Sequence, residues 1–548
     1  MLRSGLKWTV IAGLSLTMAT SVVNAADYVQ PNHSYSGYSV PSYLNKVPVA
    51  KPIWSANLGR PSEMMPYGTD RIAVGDGLIF YLKNGNIVAA DVTSGKIRWS
   101  YGQKLQQVFS YHEGMIVAAD KDGLIYSVSA KTGKTKWKSA SVKGQPVNSF
   151  AFDKDTIYSN TGKGLLAFNK ANGKLKWSND SVLNIGSMIV VGDKLFISSW
   201  ESGAITVDVT YAIDKLTGKT LWRAGSIPNP LLIKDGYLYS RNTWPANDTS
   251  TYQYPLSVVD LSNGKTIEER QFIKIPAGQD ALSTQAYTAA MDDPFLFIQA
   301  NNSIYRYDYR KPGDEQQPKT YQVNGKWIAG PYNDKLFFEK NEGGIQAMKV
   351  INSERVDYEG LDNPVSRLDF YNTGMFVGQT DGEIYVLNVV TGKALFRYQT
   401  AARGFAAFHI ENGILIAQAE DTLYAFKLPK QLLESLPASA VADGDLKTDV
   451  KILINGKPQA EKLAPVMIQN QLYVSLQAAA EAVGAKVQEN GASGDATIIY
   501  NSRNYNAPKG ELIQGSTYIS ISDFGKLLGM NVIWNQAART VNIDTSKR

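Results

Sequence analysis

Cysteine is absent from all 548 residues. No disulfide framework can hold this fold, no Cys-His arrangement is available for nucleophilic catalysis, and no cysteine stands ready for lipidation. Histidine is nearly absent, with only His33, His112 and His409. A metal site needs three or four convergent ligands, and these three lie far apart and read as isolated side chains. No Ser-His-Asp arrangement can be argued from so few without neighbouring motifs. The carboxylates are scattered, with no pair placed on one face for acid–base work. None of the many glycine-rich turns opens a helix in the manner of a phosphate-cradling loop. Neither sign of charge dominates: 56 Lys and Arg stand against 50 Asp and Glu, a net +6. No basic stripe with interleaved aromatics suggests nucleic acid.

Long apolar runs are also missing, except at the start. Arg3 and Lys7 precede an apolar stretch over 8–19 that ends at Val23-Asn24-Ala25-Ala26. The stretch is shorter than the ~20 residues a membrane helix needs. A charged start, a short apolar run and small residues at a cleavage point describe a signal segment over 1–25. The expectation is an exported chain in the extracellular space or cell envelope, with no membrane span.

What the chain has in quantity is glycine (46) and tyrosine (30), a balance that favours short strands and turns. One phrase keeps returning: Thr93-Ser94-Gly95-Lys96-Ile97-Arg98-Trp99, Thr132-Gly133-Lys134-Thr135-Lys136-Trp137, Asn172-Gly173-Lys174-Leu175-Lys176-Trp177 and Thr217-Gly218-Lys219-Thr220-Leu221-Trp222. Looser copies sit at Asn263-Gly264-Lys265 and Thr391-Gly392-Lys393. Glycine supplies the φ > 0 that a bulged hairpin loop requires, and the ring is a packing anchor on the next strand. A second phrase, Asp122-Gly123-Leu124-Ile125-Tyr126 and Asp381-Gly382-Glu383-Ile384-Tyr385, is a hairpin signal before an alternating strand. A period of roughly 40 residues means a propeller or solenoid.

The fold class expected is therefore all-β, with an eight- or nine-bladed β-propeller over 51–428 and a small α+β C-terminal domain. Third strands near Ile87, Ile125, Leu165, Val209, Val258, Ile304, Ile345, Ile384 and Leu423 give nine units. The number falls to eight if one weak unit between 268 and 360 is an insertion. The last unit stops at Phe426 without its fourth strand, and the orphan strand at Trp54 can supply it, closing the ring and removing exposed edges. Residues 26–50 read as an extended leader and 429–449 as a linker with a short helical piece at 431–436. Residues 450–546 repeat a strand, a short helix ended by glycine, and a strand: 472–487 and 517–532.

The repeats resemble the pyrroloquinoline-quinone-type β-propeller repeat, whose hallmark is Asp-Gly-x-Ile/Leu-Tyr followed by Thr-Gly-Lys-x-x-Trp. The C-terminal segment, through Asn455-Gly456-Lys457, Pro465-Val466, Tyr473-Val474 and Val532-Ile533-Trp534, is similar to the copper-amine-oxidase N-terminal-like, or stalk, domain of Gram-positive surface proteins. The first resemblance brings a quinone cofactor, a vicinal disulfide and a calcium ion. Without cysteine or an evident carboxylate cluster, no cofactor is expected and PQQ in particular is not. The lipoprotein relatives that assemble Gram-negative outer membranes are likewise disfavoured by the missing cysteine and the stalk domain.

The recurring Trp and Lys read as structural, since a site is rarely duplicated in every blade. Breaks in the repeat are more informative, because insertions in repeat arrays map to loops on one face. Two adjacent units carry insertions between second and third strands: Trp200 and Glu201 onward, and 241–255 with Trp244, Asn247, Asp248, Tyr252 and Tyr254. Exposed rings beside amides and carboxylates suit a protein partner or a cell-wall glycan. The reading is a non-catalytic binding or scaffold protein of the cell surface. An extracellular, carbohydrate-active enzyme with a central-channel site and a structural surface-layer component remain as alternatives.

Overall fold

The turn between the third and fourth strands of each repeat explains why the Gly-Lys phrase recurs. Asp91 accepts the backbone N–H groups of Thr93 (3.1 Å) and Ser94 (3.0 Å). Gly95 donates its own N–H to the Asp91 carbonyl at 2.8 Å from a φ of +67°, where a residue with a Cβ is strained. Asn169 and Asp214 organise the same turn in later repeats.

The computed structural model describes residues 46–433 and 450–545 apart from 60–67, 141–145, 243–251, 275–287 and some shorter breaks. The stretch read as a signal segment, 1–25, and most of that read as a leader lie outside the described residues. Nine antiparallel four-stranded sheets follow one another, numbered here 1 to 9: 72–101, 105–138, 147–179, 185–225, 232–274, 289–322, 326–357, 365–399 and 409–427. The two weak repeats build complete sheets, 6 and 7, so neither is an insertion.

Sheet 9 takes its fourth strand from the other end of the chain. Trp54–Asn57 pairs with Thr422–Lys427, Trp54 opposite Ala425 and Asn57 opposite Thr422. The seam between sheets 9 and 1 is polar and long-range. Arg71 donates its backbone N–H to Gln418 Oε1 at 2.9 Å and its guanidinium to Asp421 (2.6 Å) and the Gly59 carbonyl (2.8 Å). His409 meets Asp70 at 2.7 Å. Just upstream, Val47 is buried, and 48–50 runs along the last strand of sheet 8: Arg397 N–H donates to Pro48 O (2.8 Å) and Ala50 N–H to Arg397 O (2.9 Å). The end of the leader is thus ordered against the body.

The anchor ring of each repeat packs on the next sheet. Trp99 Nε1 donates to Ala130 O (2.9 Å), Trp137 to Lys170 O (2.8 Å), Trp177 to Lys215 O (2.9 Å), Trp222 to Leu261 O (3.0 Å) and Trp54 to Val92 O (2.8 Å). Each ring lies on the glycine of the turn it reaches. A Cβ on Gly173 would stand 2.3 Å from Trp137 Cε3, so glycine is required there for space as well as for φ. Where tryptophan is missing, other donors take the same carbonyl. Glu268 occupies the Trp position of sheet 5 and holds Arg270 by two bonds of 2.8 and 2.6 Å, and Arg270 Nη1 donates to Tyr309 O at 2.5 Å. From sheet 6, Tyr321 Oη (2.8 Å) and Lys319 Nζ (3.0 Å) donate to Val350 O.

Sheet 8 buries an ionic group: Glu383 accepts from Arg397 Nη1 and from the Tyr385 hydroxyl, all three below a tenth exposed. Of the helical piece expected at 431–436, residues 434–436 lie outside the described residues, and the described part belongs to a 3-10 turn over Lys430–Leu432. It is seated on sheet 8 by Asn372 Nδ2 to Leu433 O (3.0 Å) and Thr373 Oγ1 to Gln431 O (2.5 Å).

The C-terminal segment has two similar halves. Helix α1 (Leu476–Ala482) follows the strand Gln471–Ser475, and helix α2 (Ile521–Leu528) follows Ser516–Ser520. Ser475 and Ser520 cap them, each side-chain oxygen accepting a backbone N–H three residues on. Gly529 ends α2 in the left-handed conformation at φ +70°. The two leading strands pair antiparallel, Val474 opposite Ile519, so the halves meet about a pseudo-two-fold. One core holds them, with Val474, Ala480, Ile498, Phe524 and Ile543 at most 0% exposed.

Candidate interaction surface

In sheets 1 to 3 the second strand is six residues long: Leu78–Lys83, Met115–Asp120 and Thr156–Thr161. In sheet 4 the second and third strands, Lys194–Ser202 and Thr206–Asp214, have nine each. They stay paired to Ser202 opposite Thr206. Their neighbours stop short, at Ser199 on one side and Val209 on the other. The insertion read from the sequence is therefore a two-stranded ribbon that overruns its sheet. In sheet 5 the lengthened pair is instead the third and fourth strands, Tyr252–Asp260 and Thr266–Lys274, nine residues each, beside a five-residue second strand, Tyr237–Arg241.

An ionic clamp spans the sheet 4 ribbon. The Glu201 carboxylate accepts Arg223 Nε at 2.9 Å, Arg223 Nη2, and the Tyr211 hydroxyl. These come from three strands. The Arg223 guanidinium, then the Tyr211 hydroxyl, hold the Glu201 carboxyl down at about 2, and the same contact raises Arg223. The grouping repeats the Glu, Tyr and Arg buried in sheet 8, but here it stands near solvent, with Glu201 and Arg223 side chains 42% and 46% exposed.

The clamp presents apolar side chains. Trp200 is 44% exposed, Ile205 at the tip 50% and Leu183 in the preceding connection 49%. Leu183 and Trp200 are tied side by side: Ser199 Oγ donates to Leu183 O (2.6 Å) and Asn184 Nδ2 to Trp200 O (3.0 Å). Sequence reading found Trp200 and Glu201 but missed Leu183, Ile205, Tyr211 and Arg223. Their only signal is pairing between strands 10 to 22 residues apart.

The second insertion divides. Trp244, Asn247 and Asp248 lie outside the described residues, and Tyr252 opens its strand opposite Lys274. Tyr254, expected at the surface, is instead a core residue, 1% exposed. It packs with Leu256, Phe272 and Tyr307, Arg241 lies 5.3 Å over its ring, and burial pushes its phenol up. The reason is register: Tyr254 belongs to the inward set of the lengthened strand, opposite Phe272.

Two further titratable groups are held by their immediate neighbours. His112 stacks on Phe152 at 4.4 Å, and burial pulls its imidazole below the usual range. On the inner strand of sheet 8, Arg367 clasps Asp369 through 2.7 and 2.6 Å bonds, and Asp369 accepts the Phe408 N–H at 2.9 Å. Among the described residues no group of three or more His, Asp or Glu is arranged to hold a metal ion. No helix among them is long and apolar enough to cross a membrane.

Comparison with known proteins matches residues 50–151 and 121–356 to the family model described as outer membrane protein assembly factor BamB, and residues 453–511 to the copper amine oxidase N-terminal domain. Outer membrane protein assembly factor BamB of Yersinia pestis is 20% identical over 376 residues, 63% of this chain and 80% of that protein. Among solved structures, BamB from Moraxella catarrhalis is 15% identical, with 58% of this chain and 93% of that one covered at a TM-score of 0.39. The quinohemoprotein alcohol dehydrogenase from Comamonas testosteroni is 15% identical, with 75% and 80% covered at a TM-score of 0.38. With over half its length matched by one model, the chain belongs to the repeat-propeller family described as outer membrane protein assembly factor BamB.

Proposed function

We propose that this protein is a non-catalytic binding module of the cell envelope, whose propeller captures a protein partner on the clamped ribbon of sheet 4. The carrying observation is the placement of Trp200, Ile205 and Leu183, half exposed, on a ribbon that a three-strand ionic group spans. A rigid aromatic flanked by aliphatic side chains gives contact area at little entropic cost, the character of an interface anchor. The matched relatives are named as assembly factors, which agrees with protein recognition. Export is supported by Arg3, Lys7 and the apolar run behind them, and the C-terminal domain is assigned to holding the chain at the envelope.

A quinone centre does not fit the residues present. The chain has no cysteine for a vicinal disulfide, and of the carboxylates on first strands Asp369 is engaged by Arg367 and a backbone N–H and Glu411 by the Gly77 N–H. No step is assigned to such a cofactor.

The test is a photo-crosslinking amino acid placed at position 200 or 205 of the exported chain, with position 216 as control. Leu216 is 84% exposed in the turn at the far end of the same sheet. Partner adducts should form from 200 and 205 and not from 216, and Trp200→Ala should remove capture without changing the unfolding midpoint. Equal adduct yield from all three positions would refute the assignment.

A further inference from the structure

The modest net charge hides a strong asymmetry. Residues 96–176 contain fourteen Lys and Arg against five Asp and Glu, a net +9, so the rest of the chain carries −3. Thirteen of the fourteen are lysine, with Arg98 the exception. The tryptophan joints concentrate this charge in space. Trp137 is buried while Lys136 and Lys138 on either side of it are exposed, and its ring sits on Gly173 in the turn that bears Lys174. Trp99 likewise reaches the turn of Lys131 and Lys134. Each joint therefore sets the outer strand of one sheet against the turn of the next, so the turn lysines of adjoining sheets share one rim, while Lys138 turns to the other side, 5.3 Å over the Tyr126 ring.

Between sheets 2 and 3 this rim leads into a groove of about 410 Å³ lined by Lys154, Lys170, Lys176, Asp155, Asn169 and Met115. The opposing carboxylates at this end of sheets 2 and 3 are Glu113, which takes Lys170 at 2.7 Å, Asp153, which takes Lys215 at 2.6 Å, and the exposed Asp155 in the groove lining. Lys131, Lys134, Lys136, Lys154 and Lys174 are exposed.

We propose that the turn rim of sheets 2 and 3, with the groove between them, binds a flexible phosphate-bearing polymer other than nucleic acid. Several lysines on adjoining turns match repeated anions along a chain. Arginine's fork is chosen where carboxylate or phosphate must be held in a fixed bidentate geometry, whereas lysine binds phosphate as a compact point charge, so thirteen lysines to one arginine suit a flexible polymer whose phosphates need no fixed orientation. Nucleic acid is disfavoured because the exposed large apolar side chains of this stretch among the described residues are Ile97 and Leu175, not the aromatic platforms on which bases stack. The rim lies at the opposite end of the strands from the ribbon of sheet 4, so the two sites are independent.

The experiment titrates the whole exported chain with long-chain polyphosphate, polygalacturonate and single-stranded DNA over a range of salt. Polyphosphate should bind most tightly. Lys136→Gln, Lys154→Gln and Lys174→Gln together should weaken it about tenfold and flatten the log–log salt slope by about 2, at ~0.7 per lost phosphate contact on a flexible strand. Lys265→Gln, Lys393→Gln and Lys427→Gln together, three exposed lysines of other sheets, should leave binding unchanged. On the unaltered chain, polyphosphate should shield Lys136, Lys154 and Lys174 from acetylation, a readout that needs no variant. Equal weakening by both triples, tighter binding of DNA or polygalacturonate, no binding at low salt, or no shielding would overturn the proposal.

Discussion

Replacing Gly173 by alanine separates two demands made on the repeat glycine. The residue sits at φ +70°, and left-handed backbone costs a residue bearing a Cβ about 1–2 kcal/mol. The new Cβ would also stand 2.3 Å from Trp137 Cε3, against the ~3.5–4.0 Å of an ordinary carbon contact. The indole must then leave its bond to Lys170 O and its place among Met115, Ile125, Ile157 and Phe168. Removing a buried tryptophan side chain altogether costs about 3–5 kcal/mol, so Gly173→Ala is expected in that range. Gly192 is the control: its φ is +57° but nothing lies within 4 Å of its Cβ position. Gly192→Ala should therefore cost only the strain, about 1–2 kcal/mol. The pair Gly173→Ala with Trp137→Ala should be less damaging than its parts added, by about 1–3 kcal/mol, because the clash needs the ring. Urea unfolding compared at constant slope measures all four variants. If Gly173→Ala is as mild as Gly192→Ala, or if the two sites add, the joint is not the close contact described.

Other expectations follow from the same contacts. Arg397→Met should cost about 3–5 kcal/mol because it leaves Glu383 buried without its partner, and adding Glu383→Gln should recover part of the loss in urea unfolding. Arg270→Leu should loosen the joint between sheets 5 and 6, seen as faster amide exchange around Tyr309, whose carbonyl accepts the guanidinium. The Glu201 carboxyl lies at about 2 in the fold, below its ordinary value, so its clamp is fully present above the unfolded pKa and lost as pH falls through the folded one. Amide exchange of 200–208, corrected for intrinsic rate, should rise as pH drops from 5 towards 2, and Glu201→Gln should abolish that dependence. Deleting the chain before Gly59 removes the outer strand of sheet 9 and bares an edge; self-association on gel filtration is the expected result, and a monomer of unchanged stability would contradict it.

Much of the architecture was legible because its instructions are local. Glycine at the φ > 0 turn and Asp or Asn before it act within six residues, so the period of the sheets and the N-terminal closure could be read without coordinates. The candidate site was legible only as a break in that period. Trp200 and Glu201 stood out as departures from the repeat. Tyr254 was misplaced because a lengthened strand continues the alternation, which turns a side chain inward that a loop would leave outside. The clamp depends on Tyr211 and Arg223 from two further strands, and no spacing announces such a pairing.

By itself, then, the chain determined its repeating turn, its strand content, its lack of thiol chemistry and the closure of one end upon the other, since all of these follow from residue type and short-range order. Only the tertiary structure decided what the recurring tryptophan does. A ring read as an anchor within its own sheet is a bond between sheets, because its acceptor is a carbonyl 31 to 39 residues away. The same joints bring lysines from separate repeats onto one rim, and a charge imbalance diluted along the sequence becomes a surface.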